Sequence, residues 1–377
     1  MSEYQYYEFQ AIDRPLGEAD RQALRALSMR ARITATSFAN SYEWGDFKGN
    51  PAKLMEHWFD LHLYMANWGS RRLMIRLPKR LVERQRLDDF LRAVDCVEVR
   101  IAGENLILEI DRGEMEAKDW DDGTGWLAAL APLRADLLAG DLRVLYLLWL
   151  TAVADDAIEA GEPEPLPGIG PMTAALKAFA EFFDLDPDLV EAAAERLAAP
   201  APSAASSGAA ERIIAAMTDR EKTAILARLF DGDPHVAAEL RAAIRNRLAT
   251  EPGGSPVDPR TVGELRARAG AIGLARERKA AAKLAAEEKR RADEAEKVRR
   301  ARLDALARRG DSVWREIEAE IERRNSASYD RAAGLLVDLR TIAEERGTTP
   351  DFTRRLAAIR ERHARKDRLI ERLANFT

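Results

Sequence analysis

The sequence predicts an α+β N-terminal domain followed by a mostly α-helical remainder with one long charged helix. Residues 71–77 alternate between apolar and mainly basic side chains, which is typical of a half-buried strand. Residues 142–158 are apolar on nearly every side, as in the central helix of a bundle. Residues 274–309 contain no Pro and no Gly and consist mostly of Ala, Arg, Lys and Glu, so these 36 residues predict a helix of roughly 54 Å.

Strand and helix patterns are interleaved through residues 1–112, which predicts one α+β sandwich domain. The predicted strands are 4–12, 32–44, 71–77, 97–101 and 106–110, the last two joined as a hairpin at 102–105. The predicted helices are 14–29, one that starts at Asn50-Pro51, and 87–93. The helix from Asn50 is expected to include four apolar residues three or four positions apart: Leu54, Trp58, Leu61 and Met65.

The remainder divides by composition. A helical bundle is predicted over 123–198, with Pro132 kinking or dividing its first helix. The low-complexity stretch 199–209 is a predicted linker, 210–249 a helical segment and 250–258 a second linker. The long charged helix is predicted over 259–310, beginning at Asp258-Pro259, and a C-terminal helical hairpin over 311–377.

The long helix has three interpretations. Residues 276–310 carry thirteen basic and seven acidic residues, a net charge of +6, whereas the whole chain of 377 residues has a net charge of −5. Large aliphatic residues are scarce in it, so the favoured interpretation is a solvated helix supported by ion pairs between neighbouring turns. A two-stranded or antiparallel coiled coil and a nucleic-acid arm are the alternatives.

A basic cluster between residues 71 and 86 is the candidate binding site of the N-terminal domain. Its members are expected on the outer face of a strand and just beyond it, with two Trp residues near strand ends that could stack on bases. The candidate nucleic-acid-binding residues are Arg72, Arg76, Lys79, Arg80, Trp44 and Trp68. The competing interpretation is a sheet face that is basic only for solubility and edge protection.

Nothing in the sequence predicts a catalytic or metal site. His57 and His62 are five positions apart on one predicted helix, hence on different faces, and two helical metal ligands need a spacing of three or four. The single cysteine, Cys96, falls in a predicted strand and is interpreted as a packing residue. No phosphate-binding loop, dinucleotide glycine pattern or nucleophile elbow is found, so we expect no catalytic residues, no metal and no cofactor.

Two local resemblances add context. The LPGIG turn at 166–170 resembles the hairpin of helix-hairpin-helix DNA-binding proteins, which implies backbone N–H groups offered to a phosphate; the alternative is a loop that caps a bundle helix. The segments YYEFQAIDRPL (6–16), SYEWGDFKG (41–49) and RLAAIRERHARK (355–366) are similar to a family of uncharacterised bacterial proteins. That similarity implies a bacterial origin and supplies no activity and no site residues.

We therefore expect a non-enzymatic scaffold or adaptor that mediates protein–protein interaction through its helical regions, with one or more protein partners. The alternative is a nucleic-acid-associated accessory factor that uses the basic sheet face and the basic helix. A hydrolase or transferase, whose dispersed site would leave no local motif, is the third possibility. The first residues lack the basic and apolar parts of a signal peptide, and the strongest apolar run, 144–154, is too short to span a bilayer. A cytoplasmic location and no membrane partner are the corresponding expectations.

Overall fold

A computed structural model describes residues 3–113, 115, 120–196, 207–250 and 258–374. These residues form seven strands: β1 (Gln5–Gln10), β2 (Arg32–Ile33), β3 (Ser37–Tyr42), β4 (Leu61–Ala66), β5 (Arg71–Pro78), β6 (Val97–Ala102) and β7 (Asn105–Arg112). The helices that precede the long helix are α1 (Glu18–Leu27), α2 (Pro51–His57), α3 (Arg84–Leu91), α4 (Trp126–Leu130), α5 (Pro132–Leu138), α6 (Arg143–Ala154), α7 (Ala174–Phe182), α8 (Pro187–Ala194), α9 (Ser207–Ala215), α10 (Asp219–Phe230) and α11 (Val236–Thr250). The long helix is α12 (Val262–Arg309), followed by α13 (Asp311–Glu322), α14 (Ser326–Arg346), α15 (Thr349–Arg362) and α16 (Asp367–Leu373).

The chain forms two compact units, Met1–Ala275 and Arg276–Thr377. All seven strands lie in the first unit and form one antiparallel sheet in the order β2-β3-β1-β4-β5-β7-β6. The predicted fold class, an α+β N-terminal part followed by a mostly helical part with a long charged helix, is confirmed.

Both faces of the central strands are buried. One face contributes residues such as Leu63, Leu73 and Leu108 to a core shared with α3–α8 and the first turns of α12. The opposite face contributes Phe9 and Met74 to a second core, closed by α1, α2 and the segment that follows α2. Because successive residues of a strand point to opposite faces, a strand buried on both sides reads as a continuous apolar run.

The helix predicted from Asn50 through Met65 is wrong in its second half. Helix α2 is capped by Asn50, whose side chain accepts the Lys53 N–H, but it ends at His57. Residues Leu61–Ala66 instead form β4, between β1 and β5. In this strand Leu61, Leu63 and Met65 face one core. Leu61 and Met65, four positions apart, also fit a helical spacing, so the pattern alone did not distinguish the two structures.

Other local predictions are confirmed or shifted. The first bundle helix is divided at Pro132 into α4 and α5. The long helix begins at Val262 rather than at Pro259, because Thr261 provides the cap: its hydroxyl accepts the Glu264 N–H and its own N–H donates to the Glu264 carboxylate. The predicted linkers 199–209 and 250–258 lie mostly outside the described residues; 207–209 belong to α9 and Thr250 to α11.

A buried charge network holds the sheet against α5. The Asp60 carboxylate is fully buried; it accepts the backbone N–H groups of Ile12 and Asp13 and lies 2.7 Å from an Arg76 nitrogen. Arg134 of α5 donates to both carboxylate oxygens of Asp13, at 2.8 and 2.6 Å, and to the Arg76 carbonyl. Burial by itself would raise the pKa of Asp13, but hydrogen bonds with His235, at 3.0 Å, and with Arg134 lower it.

The second unit has its own apolar core. It is built by Leu303 and Leu306 of α12 together with residues of α13–α16, including Ile317 and Leu336. His363 is buried beside this core, and its Nε2 atom lies 2.9 Å from the Glu318 carboxylate. These residues form a helical unit that packs on itself.

Among the described residues, no single helix has both the length and the apolar composition needed to cross a membrane. Taken together, Trp126–Leu138 and Arg143–Ala154 reach that length and composition, with a bend of 108° between them.

The charge network makes a stability prediction. Replacing Asp60→Ala leaves two buried guanidinium groups with fewer counter-charges, and we expect the free energy of unfolding to fall by about 3–5 kcal/mol. Urea denaturation followed by circular dichroism measures this. The matched control is Asp89→Ala, an exposed carboxylate of α3, which should change the free energy by no more than about 0.5 kcal/mol. Equal effects of the two substitutions would show that the network does not stabilise the fold.

Candidate interaction surface at one end of the sheet

Three neighbouring strands bring aromatic residues to the same end of the sheet. Gln5, the first residue of β1, pairs with Tyr42, the last of β3, and with Ala66, the last of β4. Trp44 and Trp68 each follow two residues beyond these strand ends, and Tyr4 precedes Gln5. Adjacent strands lie about 4.8 Å apart, so the backbones that carry Tyr4, Trp44 and Trp68 leave the sheet side by side.

These side chains are exposed to an unusual degree. Trp44 is 76% exposed, Trp120 70% and Trp68 45%. The Tyr4 and Trp120 rings lie 5.0 Å apart at an angle of 57°. We call the set Tyr4, Trp44, Trp68 and Trp120 the tryptophan end of the sheet.

The turn that carries Trp68 is fixed by hydrogen bonds. Tyr4 donates its backbone N–H to the Asn67 side chain, and the Asn67 N–H donates to the Tyr4 carbonyl, both at 3.0 Å. Gly69 has φ +97°, a conformation that favours glycine, and a side chain there would collide with the Met115 backbone. The Trp68 turn is therefore held on both sides while the indole remains exposed.

Gln5 fixes the turn that carries Trp44. Its buried side chain donates through Nε2 to the Gly45 carbonyl at 3.3 Å and to the Asp46 carboxylate at 3.0 Å. Its Oε1 atom accepts the hydroxyl groups of Tyr7 at 2.9 Å and Tyr64 at 3.2 Å. All the hydrogen-bonding capacity of this amide is thus used to join the strands to the turn.

Aromatic rings and one arginine cover the sheet face next to this turn. Tyr7 contacts the rings of Tyr64 at 4.7 Å and Phe47 at 5.2 Å. The Arg72 guanidinium lies 5.8 Å from the Tyr64 ring centre, a cation–π arrangement. Burial raises the pKa of Tyr7 and of Tyr64, so both hydroxyls remain donors at neutral pH.

Carboxylates surround the exposed rings. The Asp121 carboxylate accepts the Trp126 indole N–H at 2.6 Å and the Gly123 N–H at 2.8 Å, and the Tyr4 hydroxyl donates to the Asp122 carbonyl at 3.0 Å. Burial raises the pKa of Tyr4, and the nearby negative charges of Asp122, Asp121 and Glu43 raise it further. These three side chains therefore place negative charge near the Tyr4 ring.

The structure separates the residues of the predicted nucleic-acid site. Trp44 and Trp68 lie at the end of the sheet where β5 begins, as does Arg72. The half-buried Lys79 and the exposed Arg80 follow Pro78, the last residue of β5, and so lie at the opposite end. Arg76 lies between them, largely buried against Asp60.

The arginines of this set have carboxylate partners. The Arg72 Nε atom donates to Asp111 at 3.1 Å and also lies 3.3 Å from Glu109. Arg80 pairs with Asp233 at 3.2 Å and with Glu239. Such pairing reduces the positive potential available to a phosphate.

The two histidines do not share a helix. His57 ends α2 and is exposed, whereas His62 lies in β4 and is fully buried, stacked 3.9 Å from the Phe9 ring. Burial lowers the pKa of His62 to about 3, and its Nδ1 atom hydrogen-bonds the Glu8 carbonyl at 3.0 Å. His62 is therefore neutral at physiological pH.

The LPGIG turn uses its backbone donors internally. The Ile169 N–H donates to the Ala193 carbonyl and the Gly170 N–H to the Arg196 carbonyl, both at the end of α8. Side chains at Gly168 or Gly170 would collide with the same stretch of backbone. This geometry agrees with the interpretation of the turn as a loop that packs on a bundle helix.

Compared with known proteins, the chain matches no protein-family model, no curated protein and no solved structure. Among the described residues, no three or more His, Cys, Asp or Glu side chains are grouped to hold a metal ion. Cys96 is half-buried, and burial raises the pKa of its thiol.

Sequence reasoning missed part of this surface. Tyr4 and Gln5 fall in the predicted strand 4–12, and no sequence feature marks either of them as exposed or as a turn contact. Trp120 lies among acidic residues outside every predicted helix and strand. The sequence signal that Trp120 is exposed is its position among Asp and Gly residues at 119–123. Only the structure, through the Tyr4–Asp122 contact, shows that this loop lies beside the strand ends.

We expect a substitution at Gln5 to make the stability of the fold depend on pH. Gln5→Glu would replace the donor to Asp46 with a carboxylate, and two carboxylates about 3 Å apart repel when both are ionised. We expect the free energy of unfolding at pH 7 to fall by about 2–4 kcal/mol, with most of the loss recovered near pH 4 as one carboxyl binds a proton. Urea denaturation at both pH values measures this. Gln85→Glu, at an exposed position of α3, is the control and should be nearly neutral; an equal loss there would contradict the role given to Gln5.

We expect the buried His62 to make the folded chain less stable in acid. Its folded-state pKa of about 3 lies below the ordinary value of about 6.5, so its contribution to stability is complete above pH 6.5 and is lost as the pH falls towards 3. At pH 4.5 the loss should be about 2–3 kcal/mol relative to pH 7. His62→Phe should remove that part of the pH dependence in urea denaturation, while His57→Phe, at the exposed histidine, should retain it. An unchanged profile in the His62 variant would contradict this assignment.

Proposed function

We propose that this chain is a non-enzymatic bacterial adaptor protein of the cytoplasm that binds a partner protein through the tryptophan end of its first unit. The observation that carries the proposal is the exposure of Trp44, Trp68 and Trp120, which all lie at the same end of the sheet: the first two follow adjacent strand ends and the third contacts the Tyr4 ring. Large aromatic side chains bury much apolar area in a contact and dominate the binding energy of many interfaces. Leaving three of them in water is costly unless something covers them.

The helical regions provide further contact surface in this proposal. Residues 274–302 of α12 are exposed throughout, apart from the half-buried Glu287. Ion pairs between neighbouring turns, such as Arg291 with Glu287 at 3.0 Å, support this exposed part of the helix. Helix α10 has no buried residue, and Leu226, Leu229 and Phe230 are exposed on it.

The rigidity of the tryptophan end supports binding rather than simple exposure. The turns that carry Trp44 and Trp68 are tied to β1 by Gln5 and Tyr4, as described above. A preorganised surface loses little conformational entropy when a partner binds. Side chains that protrude from a fixed backbone are therefore suited to recognition.

A nucleic-acid role is the second candidate, and one observation favours it. The exposed stretch 276–302 has eleven basic and six acidic residues, a net charge of +5. The paired arginines of the sheet, Arg72, Arg76 and Arg80, do not support it. Binding to duplex DNA that falls about a thousandfold between about 50 and 200 mM salt, and falls again on Lys289→Glu with Lys297→Glu, would favour this candidate over the adaptor.

Affinity capture with the tagged full chain from its native host tests the adaptor proposal. Trp44→Ala with Trp68→Ala should weaken the affinity for the captured partner by about 30- to 1000-fold, because we expect the two tryptophans together to contribute about 2–4 kcal/mol. The control is Met29→Ala, a still more exposed apolar side chain that precedes β2, which should retain the partner. Isothermal titration with the purified partner gives the affinities.

Two results would contradict the adaptor proposal. One is a partner affinity that is the same in the double tryptophan variant and in the unchanged chain, with both folded by circular dichroism. The other is capture of nucleic acid alone. Deleting the chain from Arg276 onward tests separately whether the second unit contributes a contact, because the whole apolar core of that unit lies within the deleted residues.

A further inference from the structure

We propose that the tryptophan end recognises a lysine- or arginine-rich segment of its partner, whose cationic side chains lie on the indole and phenol rings between the surrounding carboxylates. This inference rests on the proposed function and specifies the chemistry of the partner. It is carried by two independent features, the exposed rings and the sign of the charge around them.

The exposed rings can accept cations on their faces. A guanidinium or ammonium group over a tryptophan is the strongest of the common cation–π contacts. The adjoining sheet face already contains one such pair, Arg72 over the Tyr64 ring at 5.8 Å. Trp44, Trp68 and Trp120 are exposed enough to make the same contact with a second molecule.

The charged groups in the 41–49 turn and in residues 120–126 are mainly acidic. Glu43, Asp46 and Asp122 are exposed, and Glu43 and Asp46 flank Trp44 in sequence. The 41–49 turn contains one basic residue, the exposed Lys48, and the stretch 120–126 contains none. A partner with positive charge would therefore be attracted, and a phosphate backbone would be repelled.

The two arginines that follow the Trp68 turn, Arg71 and Arg72, are partly buried and hydrogen-bonded within the chain, so they add little positive charge to this surface. Arg71 is half-buried, donates to the carbonyls of Ala66 and Ser70, and lies 5.6 Å from the Phe182 ring centre. Arg72 is neutralised by Asp111 and Glu109. The combination of exposed rings with the exposed carboxylates of Glu43, Asp46 and Asp122 thus favours a cationic partner segment.

A direct binding measurement tests this with the full chain. The probe is a short fluorescent peptide of alternating arginine and serine, and its acidic counterpart alternates glutamate and serine. Fluorescence polarisation at about 50 mM salt should show binding of the basic peptide alone, with affinity reduced at about 200 mM. Trp44→Ala should weaken binding about tenfold or more, and Trp44→Phe less, because phenylalanine retains an aromatic face.

Charge variants separate this inference from a purely apolar contact. Glu43→Lys should weaken the basic peptide about three- to tenfold by reversing one charge beside Trp44. Glu104→Lys makes the same change in the exposed β6–β7 turn, at the opposite end of the sheet, and should change affinity less than twofold. Equal effects of Glu43→Lys and Glu104→Lys, or equal binding of the acidic peptide, would overturn the inference.

Two further outcomes are decisive. Displacement of the basic peptide from the tryptophan end by single-stranded DNA, with DNA binding itself weakened by Trp44→Ala, would assign the surface to nucleic acid and overturn the inference. If Trp44→Ala with Trp68→Ala abolishes capture of the native partner but Glu43→Lys leaves it unchanged, the adaptor proposal stands and the cationic partner does not. If neither change affects capture, the adaptor proposal itself fails.

Discussion

Burial of both faces of the sheet is the constraint on which the other features of the first unit depend. Helices cover one face, and α1 and α2 with their connecting segments close much of the other. Side chains in the middle of the central strands therefore serve packing or internal ion pairs, as His62 and Arg76 do. What the sheet can present to another molecule is concentrated at its ends, where the strands give way to turns.

The tryptophan end illustrates how a turn can be both rigid and exposed. Its polar atoms are bonded inward, by the Gln5 amide on one side and by the exchange between Tyr4 and Asn67 on the other. Once the backbone is satisfied in this way, the indoles are not required for the fold. None of the contacts described above gives the exposed indole surface a role in stability. For this reason we propose that the indoles serve recognition.

The sequence predicted much of the architecture but little of the site. Alternation in residues 71–77, the 102–105 hairpin and the Pro132 division follow local rules of period and turn chemistry, and the structure contains all three. Strand β4 escaped prediction because Leu61 and Met65 satisfy a helical and a strand spacing at once.

Ion pairing escaped prediction for a different reason. Arg76 pairs with Asp60, the residue just before the neighbouring strand β4, and Arg80 pairs with Glu239, 159 positions away along the chain. Local composition counts these residues as a basic cluster, whereas the folded chain neutralises them. Three-dimensional pairing, rather than the number of basic residues in a stretch, decides whether charge is available to a ligand.

The most direct test of the account is the solvent exposure of each tryptophan before and after a partner binds. The chain has seven tryptophans, and labelling with 5-fluorotryptophan gives each one a fluorine NMR signal. The account predicts that the signals of Trp44, Trp68 and Trp120 respond to a soluble paramagnetic agent in the free chain and become protected when the partner is added, while those of Trp58, Trp126, Trp149 and Trp314 do not change. Protection confined to the latter four, or no change at the first three in a saturated complex, would contradict it.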